Sequence, residues 1–167
     1  MSLTAKISVR FEGRQSGAND LGNPVFRPLL EVIKSFTDGT GANQADLVFT
    51  DTRTLEASAS EDLDLAGVLA DAFGATITMA EVVAVIVSAA QGNTNNVVVG
   101  DATAPVPLFG GTNPTLSVKP GGLFLIMAPD ASGQFTVGAG STDDLKVANS
   151  GSGTSVTYTI VVLGRSA

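Results

Sequence analysis

The chain has no cysteine, no histidine and no tryptophan, and a single tyrosine, Tyr158. Without cysteine there is no disulfide framework, no thiolate zinc site and no thiol nucleophile. Without histidine the usual near-neutral titrating group and the commonest general base are missing. Scarce aromatics weigh against a carbohydrate module, which normally offers aromatic platforms to sugar rings. Charged residues make up only 15% of the chain, yet the formal net charge is −7. Phosphate backbones repel such a chain, so neither nucleic acid nor an anionic membrane surface is an expected partner. No run reaches the roughly 18 apolar residues of a transmembrane helix. Residues 1–7 carry no signal-peptide apolar region, which implies synthesis and folding in a cytoplasm.

What is present is apolar and turn-rich. Of 167 residues, 44% are hydrophobic and 19 are glycine, with many Thr, Ser and Asn. That is enough chain for one domain with a sizeable core, and the mixture suits short strands joined by tight turns. The stretch from Ala75 to Gly100 is the centre of the pattern. Val82 to Ala89 is a β-branched run of strand length, and Val97 to Val99 is a second. Gln91-Gly92-Asn93-Thr94-Asn95 reverses the chain between them, because Gly and Asn tolerate positive φ. The expected unit is a hairpin with apolar residues on both faces of its first strand. Such a strand needs cover above and below, from a second sheet or a neighbouring subunit.

Elsewhere period two dominates. Leu3, Ala5, Ile7, Val9 and Phe11 alternate with Thr4, Lys6, Ser8 and Arg10, which predicts a half-buried strand. Residues 1–14 are expected to pair with another subunit. Residues 13–24 read as a loop by composition. Residues 25–36 fit two templates: Leu29, Val32, Ile33 and Phe36 would line a helix face, and Leu30, Val32 and Phe36 fit alternation. The β character of the rest favours a strand. Further strands are predicted around Leu47-Val48-Phe49, Leu63, Leu116 to Val118, Leu123 to Ala128 (buried), Phe135 to Val137, Leu145 to Val147 and Val156 to Val162. Gly67 to Gly74 reads as a short helical turn with Val68, Leu69, Ala72 and Phe73 on one side. Residues 101–114 read as a loop anchored by Leu108 and Phe109. Lys119-Pro120-Gly121-Gly122 is a turn. The expected fold is all-β, an antiparallel β-sandwich or jelly roll with an N-terminal extended arm. The expected division is a strand or arm over 1–37 and a sandwich over 38–167.

Chemistry is sparse. Gly39-x-Gly41 and Gly138-x-Gly140 are fragments of a nucleotide-binding glycine motif, and neither completes it; they read as turn glycines. A serine nucleophile would need lysine as its base, and no Ser-x-x-Lys precedes Lys6, Lys34, Lys119 or Lys146. Carboxylates cluster at Glu61-Asp62-Asp64 and at Asp143-Asp144. Oxygen ligands could hold calcium, or a carboxylate pair could hydrolyse a glycoside. Neither cluster has EF-hand spacing, and the bland reading is a charged strand edge that deters edge pairing, with Asp143-Asp144 solvated in a loop. No catalytic, cofactor or metal residue is assigned. Gly, Asn, Thr and Ser in the loops offer hydrogen bonds to a partner. Lys6, Arg10, Arg14 and Arg27 give the N-terminal region a basic bias, as ordinary surface charge or as an arm that docks on an acidic neighbour, another copy included.

Several stretches resemble small structural proteins encoded by tailed bacteriophages, often beside the head genes. They are residues 38–46 (DGTGANQAD), 61–67 (EDLDLAG), 92–100 (GNTNNVVVG), 119–123 (KPGGL) and 145–151 (LKVANSG). The resemblance spans about residues 38–164 and carries turn and core signatures without a catalytic motif. It implies a non-enzymatic β-sandwich present in many copies on a virion. Capsid decoration (cement) proteins are the favoured class; they sit on the outside of the head, often as trimers, bound to the major capsid protein. A tail, neck or fibre component is the alternative within the virion. A calcium- or glycan-binding adhesion module is the alternative from another class.

Overall fold

The computed structural model describes residues 2–109 and 114–167. Thirteen strands follow one another, and no helix occurs among the described residues. The body has two antiparallel sheets. In the first, β5 (Leu47–Leu55), β13 (Val156–Arg165), β7 (Glu81–Ala89) and β10 (Leu123–Met127) lie side by side, and β11 (Phe135–Thr136) extends the β10 edge of β7. In the second, the order is β6 (Ser60–Asp64), β12 (Asp144–Asn149), β8 (Val97–Gly100) and β9 (Thr115–Val118). Both sheets send alternate side chains into one core. Phe49, Val85, Val87, Tyr158 and Ile160 come from the first, and Leu63, Val97, Val99, Leu145 and Val147 from the second. This is a β-sandwich-like architecture, held by burial of β-branched faces against each other.

The Val-rich run keeps its strand and loses its hairpin. β7 pairs with β10, β11 and β13, and β8 pairs with β12 and β9. The Asn-rich turn therefore hands the chain from one sheet to the other. Local turn chemistry is the same for both outcomes. What differs is a distant partner: Asn93 donates from Nδ2 to the carbonyl of Thr157 (2.9 Å) and accepts from its N–H at Oδ1 (2.9 Å), so its side chain ties to β13.

β7 is apolar on both faces, as expected, and a register shift at Leu163/Gly164 explains how. Leu163 sits opposite Ala84 and Gly164 opposite Val82, which leaves Val83 as an extra residue. Val82, Val85, Val87 and Ala89 face the sandwich core, and Val83 and Ala84 face out into a second small core. Only glycine fits at 164, since a Cβ there would stand 2.8 Å from the carbonyl oxygen of Glu81.

That second core is closed by the N-terminal segment. β1 (Ala5–Glu12) pairs with β4 (Leu29–Phe36), and β2 (Gln15–Ser16) pairs with β3 (Val25–Phe26). Every Cα pair in both ladders, and the bridge Asn19–Gly22 at the tip, has residue numbers summing to 41. One continuous hairpin therefore runs from residue 5 to residue 36. Residues 25–36 are strand, and the 13–24 segment is no loop. Gly13 donates to Pro28 and Gly17 to Pro24, and each proline has no N–H to return the bond. The ladder thins at those two levels without losing register. Residues 5–12 pair with β4 of the same chain along one edge. Phe36, Ala5, Ile7 and Leu3 at the root pack on Val83, Ala84 and Leu163.

Two smaller expectations change. Gly67 to Gly74 forms turns closed by the bridge Ala70–Thr76; Leu69 is buried and Val68 and Phe73 point outward. β10 is an edge strand with Leu123 two-thirds exposed, not a buried one. Leu108 is buried and Phe109 packs against the core, as an anchor for the 101–109 loop should; Gly110 and Gly111 lie outside the described residues.

Candidate functional site

The glycine pairs serve their own turns. The N–H of Gly41 donates to Gln44 Oε1 (2.8 Å), that of Gly138 to Thr142 Oγ1 (3.0 Å), and that of Gly140 to the Asp143 carboxylate. A phosphate cradle needs such N–H groups free and aimed at an anion. Here a side chain of the protein already occupies those of Gly41, Gly138 and Gly140.

The two acidic clusters meet across a strand pair. Asp64 lies opposite Asp144 and Asp62 opposite Lys146 on β6 and β12. Glu61 turns the other way, into the sandwich. Its Oε1 accepts from Tyr158 Oη (2.8 Å), and its Oε2 accepts from Arg53 Nε (2.7 Å) and is ion-paired with Nη2 at 2.6 Å. A second-sheet carboxylate thus bridges two first-sheet side chains. Burial, reinforced by the bond to Glu61, pushes the Tyr158 hydroxyl well above its ordinary pKa, and Glu61 likewise raises that of the Arg53 guanidinium. Asp143 is buried rather than solvated. Among the described residues no group of three or more acidic side chains is spaced to hold a metal ion.

Asp144 carries the cost of this crowding. Desolvation first, then repulsion from Asp143, Asp62 and Asp64, raises its pKa above 3.8. The folded state therefore binds the proton more tightly than the unfolded one. That contribution to stability is present below pH 3.8 and lost as pH rises through the folded pKa. Asp144→Asn is expected to raise the melting temperature at pH 7 by roughly 1–2 °C, a small figure because the group is only half-buried. The gain should vanish below pH 3.8 and shrink in high salt, which thermal melts across pH will show.

Loop amides that could have served a partner bond internally. Beside Asn93, Asn149 donates to the carbonyls of Thr154 (2.8 Å) and Glu56 (3.0 Å), and accepts from Asn95 Nδ2 (3.0 Å) and Gly151 N (3.2 Å). Among the described residues no buried side-chain nitrogen or oxygen lacks a partner. Arg165, which no sequence pattern singled out, is fully buried at the end of β13. The only hint was a cation closing an otherwise apolar strand.

The surface that is not self-satisfied is the hairpin. Of eleven exposed large hydrophobic residues among those described, eight lie on it: Val9, Phe11, Leu21, Val25, Phe26, Leu29, Leu30 and Ile33. One face is mostly apolar, interrupted by Lys34 and Gln15, and Val25, Leu29 and Ile33 lie on the other. Ala5, Ile7 and Phe36 are covered at the root, and Val9, Phe11, Leu30 and Phe26 continue the same face uncovered. Charge divides the same way. Residues 5–36 hold five basic and three acidic side chains, a net of +2, and the remainder holds four and thirteen, a net of −9. Beside the root lies a groove of about 440 Å³, bounded by Leu3, Val48, Ile77 and Phe73 with Asp38, Asp46 and Asp71.

The chain matches no protein-family model, no curated protein and no solved structure.

Proposed function

We propose that this chain is a non-enzymatic structural subunit of a tailed-phage virion, of the capsid decoration type. It would sit on the outer surface of the head as a homotrimer or other homo-oligomer and hold to the major capsid protein. The observation that carries this reading is the uncovered apolar face of the N-terminal hairpin, an arm built for contact on a body whose buried side-chain polar groups, among the described residues, are internally satisfied. Large contiguous apolar surface on a soluble protein marks an interaction site, and a mostly apolar strip along a ribbon suits another protein better than a small molecule. The resemblance of residues 38–164 to phage structural proteins supplies the setting.

Strand order supports a jelly-roll winding of the body. Counting its eight principal strands from β5 to β13 without β11, the sheets read 1-8-3-6 and 2-7-4-5. That is the order made when a long antiparallel ribbon wraps into two four-stranded sheets, an architecture viral capsid domains share. The acidic body suits the outside of a head, away from packaged DNA.

Mass spectrometry and electron microscopy of purified particles test the reading. The expected result is a high copy number, with density for the subunit on the head exterior. A few copies, or density on the tail, would replace decoration by a tail, neck or fibre role. Absence from the particle would end the virion reading altogether.

A further inference from the structure

We infer that the tip of the hairpin of one copy docks in the groove beside the hairpin root of a second copy. The inference goes beyond the virion reading and stands on the groove and the hairpin alone.

The groove has apolar walls, Leu3, Val48 and Phe73 among them, and three carboxylates, Asp38, Asp46 and Asp71. Phe73 is 80% exposed. Each carboxylate has local work. Asp38 Oδ1 accepts from Leu3 N, Asp71 Oδ1 accepts from Phe73 N and Ala75 N, and Asp46 holds Ser166. None is ion-paired with a cation among the described residues. The groove therefore presents an apolar seat beside three carboxylates that pair with no cation among the described residues.

The hairpin tip has the opposite character. Leu21 is fully exposed, Val25 is 44% exposed on the face that carries Arg14 and Arg27, and Phe26 is 63% exposed on the other face. Between the pairs Glu12–Leu29 and Gln15–Phe26, the constant register sets Arg14 level with Arg27. Residues level with each other on an antiparallel pair point to one face, so two like charges sit side by side there, a destabilising arrangement in isolation. Neither arginine is ion-paired among the described residues. An acidic neighbour converts that repulsion into attraction, and Asp20 is the single acid at the tip.

Geometry makes the partner another molecule. The groove borders Leu3 and Asp38, at the root of the hairpin. The tip is fourteen residues further along β1 and β2, from Ala5 to Asn19, and at strand rise it stands roughly 45 Å away. A hairpin cannot fill the groove at its own base. The contact joins two different surfaces, so it propagates from copy to copy and closes into a ring only if the rotation between copies allows it.

Sedimentation velocity on the full chain tests this with two variants. Phe26→Ser with Arg27→Glu disables the tip. Asp38→Asn, Asp71→Asn and Phe73→Ser disable the groove and keep the Oδ1 acceptors of its turns. Circular dichroism melts check that each folds, and Arg14→Glu alone is a milder tip variant. Wild-type protein is expected to associate with rising concentration, less so in high salt. Each variant should lose association by roughly 10-fold or more. The decisive sample is the mixture: one intact tip and one intact groove should form a one-to-one dimer that grows no further. Monomeric wild type at every concentration, variants that associate as wild type does, or a mixture that stays monomeric each overturn the inference. Those results leave the virion reading intact, and absence from particles leaves this one intact.

Discussion

Arg165→Ala is expected to destabilise the protein by at least about 3 kcal/mol, lowering the melting temperature by roughly 6–12 °C. The side chain has no solvent exposure and satisfies four acceptors. Nε donates to the Gln44 carbonyl (2.9 Å), Nη2 to the Asp130 carbonyl (2.6 Å), and Nη1 to the Ala131 carbonyl (3.1 Å) and Glu81 Oε2 (2.8 Å). One guanidinium so joins the end of β13, the start of β7 and the loops before β5 and after β10. Truncation leaves the Gln44 and Ala131 carbonyls and the Glu81 carboxylate without this donor and the Asp130 carbonyl with just the long bond from Gly133 N (3.4 Å), and the desolvation penalty of unpaired groups exceeds the worth of the bonds themselves. Lysine, with a compact ammonium head, cannot span four acceptors in different directions, so Arg165→Lys should recover little. Combining Arg165→Ala with Glu81→Ala should cost less than the sum of the single changes by 1 kcal/mol or so, because each single leaves the other's charge stranded. Chemical denaturation of the four proteins measures that coupling; strict additivity would show that the ion pair is not what holds the corner.

Asn149→Asp should be nearly as damaging, by about 3 kcal/mol at neutral pH. The substitution keeps shape and size and exchanges two N–H donors for an acceptor. The carbonyls of Glu56 and Thr154, now bonded at 3.0 and 2.8 Å, would face a carboxylate oxygen in a nearly closed site. That environment raises the new acid's pKa, since burial and facing carbonyls both disfavour the charge. Its folded pKa then exceeds its unfolded one, so the deficit is greatest at neutral pH and shrinks as pH falls and the carboxyl regains one donor. Urea melts at pH 7 and pH 4 read both parts. A deficit independent of pH would point to lost packing instead of the misplaced acceptor.

The strands were largely legible because they obey period two. Val156, Tyr158, Ile160 and Val162 alternate in the sequence and face one core in the molecule, and Pro120-Gly121 forms its turn with Gly121 at φ 73°. Pairing was legible only where partners are close in sequence or signalled by their turn. The reversal at Gln91 to Asn95 is real, yet whether it folds back or crosses over depends on Thr157, some sixty residues later. The distal hairpin was hidden by composition: Gly13, Gly17, Pro24 and Pro28 look like loop and sit opposite one another in a ladder. Charge alone did not reveal which acids matter to the fold. Glu61 reads like Asp62 beside it, and only the strand's parity turns it inward to Tyr158 and Arg53. The candidate surface was half visible, in the basic bias of Lys6, Arg10, Arg14 and Arg27. Its apolar half needed the register, which brings Phe26 and Leu30 onto the face of Phe11.

The union of β5 with β13 also dictates when the molecule can be born. Leu55 lies against Val156 and Leu47 against Gly164, so the earliest strand of the body waits on the ribosome for one synthesised about a hundred residues afterwards. The hairpin at the front needs no such delay, its ladder ending at Asn19 and Gly22. During translation both strands of the ribbon therefore emerge before Val83, Ala84 and Leu163, the residues of the body on which its root packs.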